Sequence, residues 1–382
     1  MLSTIGYGHE GLIKSMKNGI PSLEDVAKTA GVSKSTVSRI LNNRLGNGFS
    51  VRDEVRRKVV DTAKTLNYRP NLFAKSLTMQ STRMIHIFGG NHALSDLGNI
   101  YQTVVNNITQ VMGAASMDYD VTVDMSRHAP DASEMPAWRI DGAIILAKCT
   151  AATMDAIVQL GIPYVVVNGD CPENGFSVVP DDVGGTKLAL EHLLELGHTR
   201  IAYSGPLPPF DRDISSWQDY HRPIEFKNRG LELDVLTGHS SLRDRYKTYL
   251  SQMHKHGLEP ILSAAEQPDT ADEYLKKIIF EKGATAVLVY GHMGALNLLQ
   301  AAHSLNIAIP EHLSLICFCD EYANKVMSPG LTFVDLGSEK MGKVAAELLL
   351  DQMLNPSLVK SRQVVLQENL VVQSTTARPV VR

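Results

Sequence analysis

From Met84 onward, short apolar runs alternate with amphipathic stretches, and this alternation limits the fold more than any other feature of the chain. Strand candidates are Met84–Phe88, Asp120–Asp124, Gly142–Ala147, Tyr164–Val167, Arg200–Ser204, Ala286–Tyr290, Ser314–Phe318 and Leu331–Val334. Helical spacing recurs at Tyr101–Met112, Thr153–Leu160, Thr186–Leu196, Gly294–Ser304 and Glu339–Leu354. Strand–helix alternation argues an α/β fold, a parallel sheet with helices on both faces. Eight strands plus the tail RQVVLQENLVV exceed one mononucleotide-like half. Two doubly wound lobes sharing crossovers follow, with a ligand cleft between them.

The N-terminal part has a different period. In Ser22–Asn42, Leu23, Val26, Ala27 and Ala30 form one helical stripe, and Ser22 with Asp25 has capping-box spacing. Gly31-Val32 makes a tight turn. Ser33 caps a second helix with Val37, Ile40 and Leu41 on one face and Lys34, Ser35, Ser38, Arg39 and Asn42 on the other. A third helix, about Arg52 to Leu66, supplies Val55, Val59, Ala63 and Leu66 to a small core, so the expectation is an all-α helix-turn-helix unit. Asn71 caps Leu72–Thr78, a two-turn segment too short to be stable unless packed, which reads as a hinge.

Charge separates the same two parts. Residues 21–80 carry 11 Lys+Arg against 5 Asp+Glu, whereas 81–382 carry 24 against 35. A basic head on an acidic body places phosphate binding at one end. No apolar run approaches the roughly 18 residues of a membrane span. Residues 1–20 lack the apolar centre of a signal peptide and are expected to be a disordered leader, with a start at Met16 left open. Cys149, Cys171, Cys317 and Cys319 are too few and scattered for a disulfide framework, in keeping with the cytoplasm. Cys317-x-Cys319 lies in the apolar run SLICFC, so buried strand cysteines are expected and no metal site. There is no phosphate-binding glycine fingerprint, nucleophile motif or metal-spaced His/Glu set, so no catalytic residue or cofactor is assigned.

The run LEDVAKTAGVSKSTVSRILNN, followed by VRRKVVDTAKTLNYRPNLFAKSL, resembles the headpiece of the LacI/GalR transcriptional regulators. Asp141-Gly142, HLLELGHTRIAYSGP, IPEHLSLICF and PGLTFVDLG are similar to that family's core, which is akin to periplasmic sugar-binding proteins. The resemblance extends from Ser22 to about Thr375. It implies a leader at 1–20, a headpiece at 21–68, a hinge and linker at 69–82 and a two-lobe body at 83–376. Lobe one is expected at about 83–179 and 316–335, lobe two at about 180–315 and 336–376. The implied function is a repressor that binds palindromic double-stranded operator DNA as a homodimer. A small molecule in the cleft, a sugar or sugar derivative, controls it. By position, Lys34 and Ser35 set base choice, while Ser22, Thr36, Ser38, Arg39, Asn42, Tyr68 and Asn71 make further DNA contacts. Leu77 falls where the family places a minor-groove wedge.

The effector end departs from the family. Gly291-His292 stands where an Asn-Asp pair is common, and Cys317-Phe318-Cys319-Asp320 where Gly-Phe/Tyr-Asp-Asp is common. Arg245 matches a pocket arginine and Asn168 replaces a frequent Asp, while Asn99 and Tyr101 begin the first helix of the lobe. The expected effector contacts are therefore Asn99, Tyr101, Asn168, Arg245, His292 and Asp320. The stretch 206–239 is a long insertion that would serve as a lid or extend a dimer surface. A non-sugar effector, no effector at all, or a solute-binding receptor are the alternatives.

Overall fold

The computed structural model describes residues 21–41, 51–68, 81–90, 100–115, 119–125, 133–169, 175–205, 240–262, 271–321, 330–355 and 362–380. It divides after Thr82 into two units. The leader, the hinge segment and the 206–239 insertion lie outside the described residues.

In the first unit, helix α1 (Leu23–Ala30) starts from a full capping box. The Asp25 N–H donates to Ser22 Oγ (3.3 Å) and the Ser22 N–H donates to Asp25 Oδ2 (2.8 Å). Gly31, at φ +69°, ends the helix, and the next N–H, of Val32, reaches back to the Ala27 carbonyl. A side chain at Gly31 would strain this left-handed turn. Helix α2 (Lys34–Leu41) begins with Thr36 N–H donating to Ser33 Oγ at 3.1 Å. Helix α3 (Asp53–Thr65) closes a core of Val26, Ala27, Ala30, Val37, Ile40, Val59 and Ala63.

Among the described residues the second unit holds two six-stranded sheets. In the first the order is β11 (Arg362–Leu366), β5 (Phe176–Pro180), β4 (Tyr164–Val167), β3 (Gly142–Leu146), β1 (Met84–Phe88) and β2 (Asp120–Val123). In the second it is β12 (Asn369–Val371), β10 (Thr332–Asp335), β9 (Ser314–Cys319), β8 (Ala286–Val289), β6 (Ile201–Ser204) and β7 (Ile261–Leu262). All described strand pairs are parallel except β10 with β12. Strands buried on both faces read as unbroken apolar runs, and GAIIL and SLICFC do so.

Helices α4 (Ile100–Ala114) and α10 (Ser338–Leu354) cover one face of the first sheet, and α5 (Ala151–Gln159) the other. They pack so closely that a Cβ on Gly342 would stand 2.4 Å from the Val104 carbonyl oxygen. In the second lobe, α6 (Asp182–Glu195) and α7 (Ser240–Lys255) cover one face of the sheet. The opposite face takes α9 (His292–Ser304) and α8 (Ala271–Lys276), which runs on into a π-helical turn at Lys277–Glu281.

The lobe boundaries differ from the sequence expectation. Residues 316–335 were expected in lobe one, yet β9 and β10 pair within the second sheet. The reason is connectivity: β8, α9 and β9 form one βαβ unit, whose strands stay in one sheet. The chain therefore returns to lobe one after Asp335, where α10 packs on α4 and β11 on β5. It crosses once more to β12. Strand β5 was not expected either, because FSVVP is short and ends in proline.

Candidate DNA-reading face and interlobe cleft

Helix α2 divides sharply by side-chain environment. Val37 and Ile40 are buried, while Lys34, Ser35 and Arg39 are exposed and Thr36 and Ser38 half-buried. Ser33 Oγ lies 2.8 Å from both Ser35 Oγ and Thr36 Oγ1, so the hydroxyls at the helix start are mutually ordered. Ser22 is exposed and held in its cap. Tyr68 packs half-buried against the three-helix core, and burial pushes its phenol above the usual value. Asn42, Asn71 and Leu77 lie outside the described residues.

The second site forms where the lobes meet. Asn168 follows β4 at φ +55° and is almost fully buried, and its Nδ2 donates to the Tyr101 hydroxyl at 2.9 Å. From the other lobe, Ser241 Oγ donates to Asn168 Oδ1 at 3.0 Å. One turn further along α7, Arg245 Nε donates to Asp182 Oδ1 at 2.5 Å. Its Nη1 donates to the Tyr290 carbonyl at 2.8 Å. The guanidinium also lies over two rings, 4.0 Å from the centre of Phe318 and 4.7 Å from that of Tyr290. Both members of the ion pair are about 3% exposed. Burial alone would lower the Arg245 pKa, but the Asp182 carboxylate raises it, and the guanidinium stays charged. At Asp182 burial favours the neutral acid and Arg245 pulls against it.

Further acids gather behind this pair. Glu368, between β11 and β12, is 1% exposed, and no described residue bonds to either of its carboxylate oxygens. Burial, then the Asp182 charge, raise its pKa well above the usual range. Asp320, just past β9, accepts from Ser338 Oγ at the start of α10. His292 opens α9 and is half-buried.

Ser241 also bonds the Asp182 carboxylate, so Tyr101, Asn168 and Arg245 join one polar network, while His292 and Asp320 stand at the carboxyl edge of the second sheet, the usual ligand edge of such sheets. Asn99 lies outside the described residues. Asp182, Ser241, Tyr290, Phe318 and Glu368 were not foreseen. Asp182 sits in the PDD that precedes α6, a place that reads as a helix start. Cys317 and Cys319 are buried in β9 as expected, and burial keeps the half-buried Cys149 thiol protonated, at about 12. Among the described residues no helix is long and apolar enough to cross a membrane.

Residues 22–71 match the family described as bacterial regulatory proteins, lacI family, and residues 190–376 match the periplasmic binding protein-like domain. Over 365 residues the chain is 23% identical to the probable HTH-type transcriptional repressor ExuR of Bacillus subtilis (strain 168), covering 94% of this chain and 98% of that one. It is 24% identical over 349 residues to the HTH-type transcriptional repressor PurR of Actinobacillus pleuropneumoniae serotype 5b (strain L20), covering 87% and 91%. Among solved structures, the Lac repressor dimer bound to operator and the anti-inducer ONPF aligns with a TM-score of 0.70 at 23% identity, over 94% of this chain and 99% of that one. The complex of the transcriptional regulator CelR with cellobiose aligns with a TM-score of 0.58 at 21% identity, over 93% and 99%. At such identities these two likenesses speak to the fold.

Proposed function

We propose that this chain, a LacI-family headpiece joined to a periplasmic binding protein-like domain, is a sequence-specific transcriptional repressor. It works in the cytoplasm, binds a palindromic operator as a homodimer, and answers to a small molecule held between its lobes. The observation that carries this reading is α2 itself: a buried apolar face set against an exposed row of Lys34, Ser35 and Arg39. A helix of that make-up enters a major groove with its first turn on base edges. Lys34 and Ser35 then choose bases, Arg39, Thr36 and Ser38 hold phosphates or base edges, and Ser22 and Tyr68 support the backbone contact. By the resemblance, Asn42, Asn71 and Leu77 are further DNA contacts.

The polar network between Asn168 and Ser241 supports the control function, because it ties the two lobes through groups a ligand would rearrange. A ligand that prefers one lobe spacing shifts the population of that state, and DNA affinity with it. Relatives named as repressors favour repression as the mode of action, and a neighbour solved with cellobiose favours a sugar-like effector.

In-vitro selection from random duplexes tests the proposal. The expected product is an inverted repeat whose affinity falls steeply with added salt. Recovery of no enriched sequence, or of binding insensitive to salt, would overturn it.

A further inference from the structure

Among the described residues the chain crosses between the lobes three times, and each crossing carries a carboxyl group. The first runs from β5 into α6 through Asp181 and Asp182, and the second leaves β10 at Asp335 for α10. The third joins β11 to β12 through Glu368. The backbone draws the three together. The Asp181 N–H donates to the Leu366 carbonyl at the end of β11 (2.8 Å), and Asp335 stands opposite Asn369 in the β10–β12 pair. Gly185 leaves the room that Glu368 fills, since a Cβ there would overlap the Glu368 carboxyl.

Three of these acids have partners. Asp182 is paired with Arg245, Asp335 accepts from the Gly337 N–H at 3.2 Å, and Asp181 accepts from the Gly184 N–H at 2.9 Å. Glu368 is the exception: it is buried, and no described residue bonds either oxygen. The charged groups that face it are Asp181 and Asp182 at the start of α6, Asp335 at the end of β10, and Arg245 on α7. Asp182 already takes up the charge of Arg245, and Asp320 and Glu321 add their charges at Asp335. Burial first, and the neighbouring carboxylates second, hold Glu368 as the neutral acid well above the usual carboxylate range. Water entering the crossings would remove the burial and let the group ionise.

We propose that Glu368 is a proton latch on the interlobe crossings: with its proton the three stay packed, and loss of the proton to solvent loosens them and frees the lobes to rearrange. The arrangement described here holds one proton more than a hydrated one. Its advantage is complete below 4.5, the ordinary glutamate value, and shrinks by up to about tenfold per pH unit until Glu368 ionises in place. The latch belongs to the body alone, and it stands whether or not an effector binds in the cleft.

Hydrogen–deuterium exchange of the full-length protein from about pH 5 to about pH 9, corrected for the pH dependence of free-peptide exchange, tests the latch. Peptides spanning 180–186, 335–338 and 366–370 should lose protection together as the pH rises, by at least about tenfold, while β3 keeps its protection. Glu368→Gln, neutral at every pH and nearly the same size, should hold all three crossings protected across the range. Its melting temperature should exceed that of wild type by a margin that grows with pH. A purely structural role would give a difference independent of pH. Glu368→Met serves the same comparison if the amide does not fold. Flat protection in wild type, a loss spread evenly over the body, or an equal loss in a folded neutral variant would each overturn the proposal.

Discussion

The face of α2 and the interlobe seam use polar side chains in opposite ways. Lys34, Ser35 and Arg39 stand in solvent on a small apolar core, and all of them come from six consecutive positions. At the seam, Tyr101, Asn168, Asp182, Ser241 and Arg245 are buried, bonded to one another, and drawn from both lobes. An exposed polar group costs little while it is unbound, so a DNA-reading helix can hold its charges ready in water. A buried one must find a partner in the folded chain, because an unpaired buried charge costs several kcal/mol. The seam is therefore part of the stability of the body, and the α2 face is not part of the stability of the headpiece.

The sharpest way to break this contrast is Asp182→Ala. With its partner gone, Arg245 is left charged in the interior, and the body should lose about 3–5 kcal/mol in denaturant unfolding. Replacing both residues, as Asp182→Ala with Arg245→Met, should recover most of the loss. A single variant within about 1 kcal/mol of wild type would mean that the pair is not desolvated as described.

Arg39→Ala makes the complementary test. It should weaken operator binding by about 1–3 kcal/mol and reduce the salt slope by about one, with the melting of the protein unchanged. Unaltered affinity would remove Arg39 from the interface.

Ser22→Ala probes the headpiece without touching its apolar core. Losing the cap should cost about 1 kcal/mol of headpiece stability, read by helical circular dichroism on melting. No change would mean that Asp25 alone holds the first turn.

The smallest effect expected is a difference in acid response. His198 is buried, its Nε2 lies 2.8 Å from the Ala377 carbonyl, and burial lowers its pKa below the usual 6.5. The folded body then binds fewer protons than the unfolded chain, so this contribution is complete above about pH 6.5 and is lost as the pH falls towards the lowered value. The headpiece residues 21–68 contain no histidine. Their Asp25, lowered by its Ser22 hydrogen bonds, keeps its contribution until the pH drops below 3.8. His198→Gln should flatten the decline in melting temperature of the body between pH 7.5 and 5.5. An equal decline in variant and wild type would show that His198 does not titrate there.

The sequence by itself determined the local events. Ser22, Gly31 and Ser33 marked the helix ends, because caps and turns depend on residues within a few positions. Apolar runs marked Met84–Phe88 and Tyr164–Val167 to the residue, because a strand buried on both faces has no polar side to blur its limits. Tyr101, Asn168 and Arg245 were legible as candidates through resemblance. Only the tertiary structure decided what they do together. It moved β9 and β10 into the second lobe, set Asp182 against Arg245 from 63 positions away, and brought Ser241 to Asn168 from 73. Those pairings follow from how sheets and crossovers close in space, and a buried charge takes whichever partner that closure brings within reach.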